Sequence, residues 1–251
     1  MRGNSPAYLL YPYSMSKIKN QEMNESAKTV LQEKHIVCFG DSNTHGWCAD
    51  AADCMDGGNR FNEYERWTCL LESLLGEEYK VLEEGMPGRN TVFPDPIYEE
   101  NFCGIDVLAP ILMTHQPVDL LIIMLGTNDC RDMFNANPDL IARGMERLAR
   151  RVAVIDCLGK KPNILLISPA PIKPCVANHW EGAGMGPGCT ERSRGLAAAY
   201  RRKAEELGCA FFDAAAVAEI NDVDGMHLTS VGHRVLADAL APLVKGLTCM
   251  A

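Results

Sequence analysis

The sequence predicts an α/β domain, a three-layer α/β/α arrangement built on a doubly wound sheet of about five parallel strands. Three observations carry this. From His35 onward, short apolar runs alternate with longer amphipathic stretches, the pattern of repeated strand–helix units. The clearest run, Leu120-Leu121-Ile122-Ile123-Met124-Leu125, is apolar on both faces, as parallel strands covered by helices are. The polar and glycine-rich clusters follow the apolar runs directly, and ligands of such sheets sit at the carboxyl ends of strands.

Taken in order, residues 1–34 read as an N-terminal extension. They are polar, contain Pro6 and Pro12, and show no steady period beyond a helical turn near Glu25 to Gln32. Residues 35–251 form a single domain, a size that suits one α/β unit. Ile36 to Phe39 is the first strand. Trp67 to Leu75 is a helix, with Leu70, Leu71, Leu74 and Leu75 on one stripe. Tyr79 to Leu82 is a weaker strand, and Ile105 to Met113 is helical, with Pro117 closing the connection. Leu120 to Leu125 is the third strand and Leu140 to Cys157 a long helix. Ile164 to Ile167 is the fourth strand, Glu191 to Leu207 a helix rich in Ala and Arg, Ala210 to Phe212 the fifth strand, and Val231 to Leu247 the last helix. Parallel connections of this kind are right-handed.

Composition narrows the function. Hydrophobic residues make up 47% and charged residues 23%, and the net charge is −9. A nucleic-acid-binding surface needs the opposite sign. Eleven cysteines with no C-x-x-C pair argue against zinc ribbons and thioredoxin-type sites, and point to a reducing compartment. The apolar patch Tyr8 to Tyr11 is broken by Pro12, too short for a signal-peptide core, and no run reaches membrane-spanning length. The chain is expected to be cytoplasmic, with no membrane or nucleic-acid partner.

Four clusters sit at strand ends: Gly40 to Gly46, Glu84 to Asn90, Gly126 to Asp129, and Asp222 to Leu228. Ser42 follows a buried strand and is the serine best placed to be a nucleophile, which needs an adjacent base. A helix N-cap serine is the competing reading. Ser168 also ends a strand, but Pro169-Ala170-Pro171 offers little backbone N–H to hold an oxyanion. The spacing around Ser42 is not G-x-S-x-G, which disfavours a nucleophile elbow. Asp224 and His227 lie three apart in a turn, so the carboxylate can orient the ring while the ring accepts the serine proton; an incidental turn pair is the alternative. Asn128, Gly88 and the Ser42 N–H are candidate donors to an oxyanion, although Asn and Gly are also ordinary turn formers. His45 and His179 lie near the cleft, His35 and His115 read as surface or strand-edge residues, and His233 as a helix-face residue. The conjunction of four weak signals at four strand ends raises the catalytic reading above each alternative.

These blocks resemble the SGNH hydrolase superfamily, the GDSL-type esterases, over about residues 35–247. Gly40-Asp41-Ser42 matches the first block, Gly88 the second, Gly126-Thr127-Asn128-Asp129 the third and Asp224-Gly225-Met226-His227 the last. Val118 to Asp129, Ser168 to Pro174 and Phe211-Phe212-Asp213 further resemble the arylesterase and acyltransferase branch. The usual Leu of the GDSL block is Asn43 here, and the segment Cys48 to Asn59, close to Ser42 and expected to shape the pocket mouth, has no counterpart. The resemblance implies a flavodoxin-like SGNH hydrolase fold, a Ser42–His227–Asp224 triad and an oxyanion hole of Ser42, Gly88 and Asn128. It also implies a homo-oligomer, with Asp41 and Asp129 structural.

The expected activity is hydrolysis of small aryl or alkyl esters through an acyl-enzyme on Ser42, with water or an alcohol as acyl acceptor. No metal or organic cofactor is needed. Trp47, Phe93, His179 and Trp180 are candidates to contact substrate; for the aromatic three, ordinary packing is an equal alternative. A carbohydrate or natural-product O-deacetylase would use the same triad. A non-catalytic flavodoxin-like binding module is the alternative of another class, but neither a Walker motif nor G-x-G-x-x-G occurs. An inactive scaffold is argued against by the intact blocks.

Overall fold

The computed structural model describes residues 33–249 apart from 99, 156, 157 and 159–162. The turn expected at 25–32 and Cys157, the expected end of a helix, lie outside the described residues. Each predicted strand is present: β1 (Lys34–Gly40), β2 (Tyr79–Gly85), β3 (Leu120–Met124), β4 (Ile164–Ser168) and β5 (Ala210–Asp213). All neighbours pair in parallel, in the order β2-β1-β3-β4-β5.

Strand side chains alternate between faces, and both faces are covered. Val37, Phe39, Leu121, Ile123 and Leu166 pack against α3 (Gly104–Thr114), α4 (Pro138–Val152) and α7 (Leu196–Leu207). Ile36, Cys38, Leu120, Ile122 and Leu165 pack against α2 (Trp67–Leu75) and α8 (Ser230–Cys249). This is the predicted three-layer arrangement. Every residue of β3 is buried, and each such Leu or Ile contributes roughly 1.5–3 kcal/mol relative to an exposed one.

Helix boundaries differ from the sequence reading where tertiary contacts set them. The helix expected at 140–157 starts at Pro138, because the Asn137 side chain accepts from the Leu140 N–H at 2.9 Å and Pro suits the first helical position. It ends at Val152, with Arg150 and Arg151 in its last turn, where cations oppose the helix dipole. The helix expected at 191–207 is two: α6 (Cys189–Arg194) and α7, separated by Gly195, a poor helix former. Helix α8 starts where the Thr229 Oγ1 accepts from the Gly232 N–H. The Asp53 carboxylate also accepts there, from the Ser230 N–H and hydroxyl.

The chain leaves β1 toward β2 on one side and, after β2, returns to β3 on the other. The ends of β1 and β3 therefore form the switch point of the sheet, where ligands of such folds bind.

Candidate active site

Directly after β1 the chain turns into a one-turn helix, α1 (Ser42–His45). Its cap is Asp41, whose carboxylate accepts from the Asn43 N–H at 2.9 Å. Ser42 is thus the first helical residue, and its hydroxyl is not spent on capping. The turn lies so close to β2 that a Cβ on Gly85 would come within 2.2 Å of the His45 backbone nitrogen.

Between β5 and α8, the loop 221–228 folds around Asp224. Its Oδ1 accepts from the backbone N–H of Met226 and of His227 and from the Asn221 amide, at 2.8, 3.1 and 2.9 Å. Its Oδ2 accepts from the His227 Nδ1 at 2.6 Å. Burial works to raise the Asp224 pKa, but the His227 hydrogen bond and charge, the Met226 N–H and the Asn221 amide outweigh it, holding the carboxyl well below its usual range. With Nδ1 donating to this carboxylate, the neutral ring presents Nε2 as an acceptor. Nε2 lies 2.8 Å from the Ser42 Oγ, which donates to it. The structure thus brings Ser42, His227 and Asp224 into one hydrogen-bonded chain.

Asn43 joins the two loops. Its amide donates to the Met226 carbonyl at 3.2 Å and accepts from the Leu228 N–H at 2.9 Å. The residue that departs from the GDSL block therefore holds the histidine loop against the serine turn. His233 lies on the inward face of α8. It is fully buried, and its Nδ1 accepts from the Trp67 N–H at 3.2 Å, while the Trp67 indole donates to the Asn43 carbonyl. Burial, then the charges of His227 and Arg66, push the His233 pKa down to about 3, so it serves as a neutral acceptor.

Asn128 follows β3 and donates one amide proton to the Arg89 carbonyl at 3.0 Å, which leaves the other proton free. Gly88 adopts a φ of +84°, a conformation that favours glycine. Asn128, Gly88, Ser42 and His227 all border one cavity. Beneath them, Asp129 accepts from the Thr91 N–H at 3.0 Å, and the Arg89 guanidinium donates to the Gly40 carbonyl at 3.0 Å and covers the Phe39 ring. Burial lowers the Arg89 pKa to about 10 against the pull of Glu84 and Asp41. Burial likewise raises Asp41 and Asp129 to about 6.

The cavity holds about 350 Å³. Trp47 borders it, with its ring centroid 6.0 Å from that of His227, and so does Trp180. Phe93 does not; it stacks on Phe134 at the side of the core. His179 is not in the wall but has its ring centroid 5.5 Å from that of Trp180, and His45 and Ser168 are also away from the wall. None of residues 48–59 lines the cavity; that segment packs Cys48, Cys54 and Phe61 together and buttresses the start of α8 through Asp53. The wall includes residues that the sequence reading passed over: Ile97, Tyr98, Phe102, Arg131, Met133 and Glu181. Arg131 lies three residues past Asn128 and Glu181 directly follows Trp180, both local signals; nothing in sequence spacing marks the others. Among the described residues one cluster has metal-ligating chemistry, Glu181 with Asp224 and His227, whose atoms lie within 4.8 Å of one another. Asp224 and His227 are already bonded to each other. No described helix is long and apolar enough to cross a membrane, and the described cysteines are all free thiols.

Comparison with known proteins places this geometry. The model of the GDSL-like lipase/acylhydrolase family matches residues 38–235, most of the chain, which therefore belongs to that family. Among solved structures, the aryl esterase of M. smegmatis is similar at 37% identity and a TM-score of 0.76, covering 85% of this chain and 99% of that one. A carbohydrate acetylesterase family member from Sinorhizobium meliloti is similar at 34% identity and a TM-score of 0.77, covering 86% and 99%. Est24, a carbohydrate acetylesterase from the same organism, is similar at 32% identity and 0.75, covering 86% and 100%. No curated protein matches the chain. The fold is that of the SGNH hydrolases and the chain is a carboxylic ester hydrolase, as its strand-end blocks predict.

Proposed function

We propose that the chain is a serine esterase acting on small aryl or alkyl esters, and the observation that carries this is the unbroken contact from Asp224 through His227 to the Ser42 hydroxyl. Ser42 Oγ attacks the acyl carbonyl while His227 Nε2 takes its proton. Asp224 holds the ring in the needed tautomer and stabilises its charged form. The oxyanion is held by the Ser42 and Gly88 N–H groups and the free Asn128 amide proton. Among the described residues neither N–H has an intramolecular acceptor. Such preorganised donors act without reorganisation at the moment of reaction. His227 then protonates the leaving alcohol, and water or a second alcohol, activated by the same ring, releases the acyl group.

A cavity of this volume is at the small end of ligand sites, which supports short acyl groups. The relatives named as carbohydrate acetylesterases support a second reading, removal of acetyl groups from a sugar, with the same triad. A panel of aryl acetates and acetylated sugars separates the two.

The test is Ser42→Ala beside Asn128→Ala. Ser42→Ala abolishes p-nitrophenyl acetate hydrolysis and labelling by a fluorophosphonate, with an unchanged circular dichroism spectrum. Asn128→Ala lowers kcat on the order of 10²–10³-fold, as removal of an oxyanion donor does. Full turnover by Ser42→Ala rejects the proposal.

A further inference from the structure

One carboxylate oxygen in the cavity wall has no hydrogen-bond partner among the described residues. Glu181 borders the cavity, and its Oε2 is buried with no hydrogen-bond partner among the described residues. The nearest candidate, His179 Nδ1, is 4.0 Å away. That nitrogen accepts from the Glu181 backbone N–H at 3.4 Å, so it has no proton to give. Arg131, the sole Lys or Arg lining the cavity, is already paired with Asp95. A buried carboxylate oxygen left without a donor is unfavourable, and a ligand that brings a cationic donor relieves it. Aromatic faces suited to a cation are present in the same wall: Trp47 and Trp180.

We propose that Glu181 is a specificity-determining residue that receives a protonated amine on the alcohol portion of the ester. The placement on the alcohol side rests on the serine-esterase reading. His227 must deliver its proton to the leaving oxygen, so substituents of that oxygen pass beside the His227 ring. Glu181 presents its carboxylate within 4.8 Å of that residue's ligating nitrogen. Substrates of this class are acyl esters of small amino alcohols.

The experiment compares two esters of matched shape, 2-(dimethylamino)ethyl acetate, protonated at neutral pH, and 3-methylbutyl acetate, which replaces the N–H by C–H. The wild-type chain favours the amine in kcat/KM by about tenfold or more, the range of a hydrogen bond to a charged group. The ratio falls to about one in both Glu181→Ala and Glu181→Gln; the Gln variant keeps the side-chain shape and reads the effect even where the Ala variant does not fold. A wild-type ratio near one, or the same ratio in wild type and Glu181→Gln, overturns the proposal. Ser42→Ala is run on both esters: its turnover of either one refutes the serine-esterase reading instead, so the two failures are distinct.

Discussion

Asp41 caps the turn that presents Ser42 with one carboxylate oxygen and leaves the other, Oδ2, buried without a partner. Burial raises its pKa to about 6 against the pull of the Asn43 N–H, His227 and Arg89. The folded state therefore holds this proton more tightly than the unfolded chain. The corresponding stability is full below about pH 4, the unfolded value, and is lost as pH rises through 6. Asp41→Asn keeps the capping oxygen and removes the charge. Between pH 4 and pH 8 the variant gains on the wild type by on the order of 2–3 kcal/mol, from a rise of about two units at 1.36 kcal/mol each. Urea unfolding of both proteins at the two pH values measures it, and parallel pH dependence refutes it. Asp129 shifts in the same direction and remains in both proteins. At this scale the proposed site residues Ser42, Asp224, His227, Gly88 and Asn128 stand out in the sequence because each lies in a short local block. His233 does not: its role depends on Trp67, a residue far away in the chain that α2 brings against it.

The β2–α1 contact shows how elements position the site. Gly85 ends β2 against the backbone of α1, so Gly85→Ala forces one of the two to move. This costs about 1–3 kcal/mol, as overpacking does, and lowers kcat for p-nitrophenyl acetate because Ser42 rides on the displaced turn. Gly246 in α8 is the control. Nothing lies within 4 Å of a Cβ there, and Gly246→Ala raises stability by roughly 0.5–1 kcal/mol through helix propensity. Denaturant midpoints and kcat for both variants decide; equal effects refute the contact argument. The strands were readable because an apolar run needs only burial on two faces to become one. Helix ends were less so. The start of α4 rests on the Asn137 cap, whose signal is one residue among many polar ones. The break at Gly195 interrupts a stretch whose Ala and Arg content otherwise favours one continuous helix.

Among the described residues, both apolar clusters that sandwich the sheet are built from residues between Ile36 and Val244, and the family match spans 38–235. We therefore propose that residues 33–251 are a self-sufficient domain. A chain lacking residues 1–32 is expected to melt within about 2 °C of the full-length protein, a shift no larger than that of about 1 kcal/mol in a protein of this size, and to hydrolyse p-nitrophenyl acetate at the same rate; a large drop in either refutes it. The cavity wall was the least legible part. Tyr98, Arg131 and Glu181 come from three separate loops, and only the folded sheet brings them together. The Asn43 amide bridges positions 183 and 185 residues further along, so the hydroxyl and the imidazole come from stretches of the polypeptide 185 residues apart. A ribosome-bound chain that has not yet emerged past residue 223 holds an alcohol with no ring beside it. On the serine-esterase proposal, synthesis of residues 224–251, a stretch dominated by one helix, is what arms the protein.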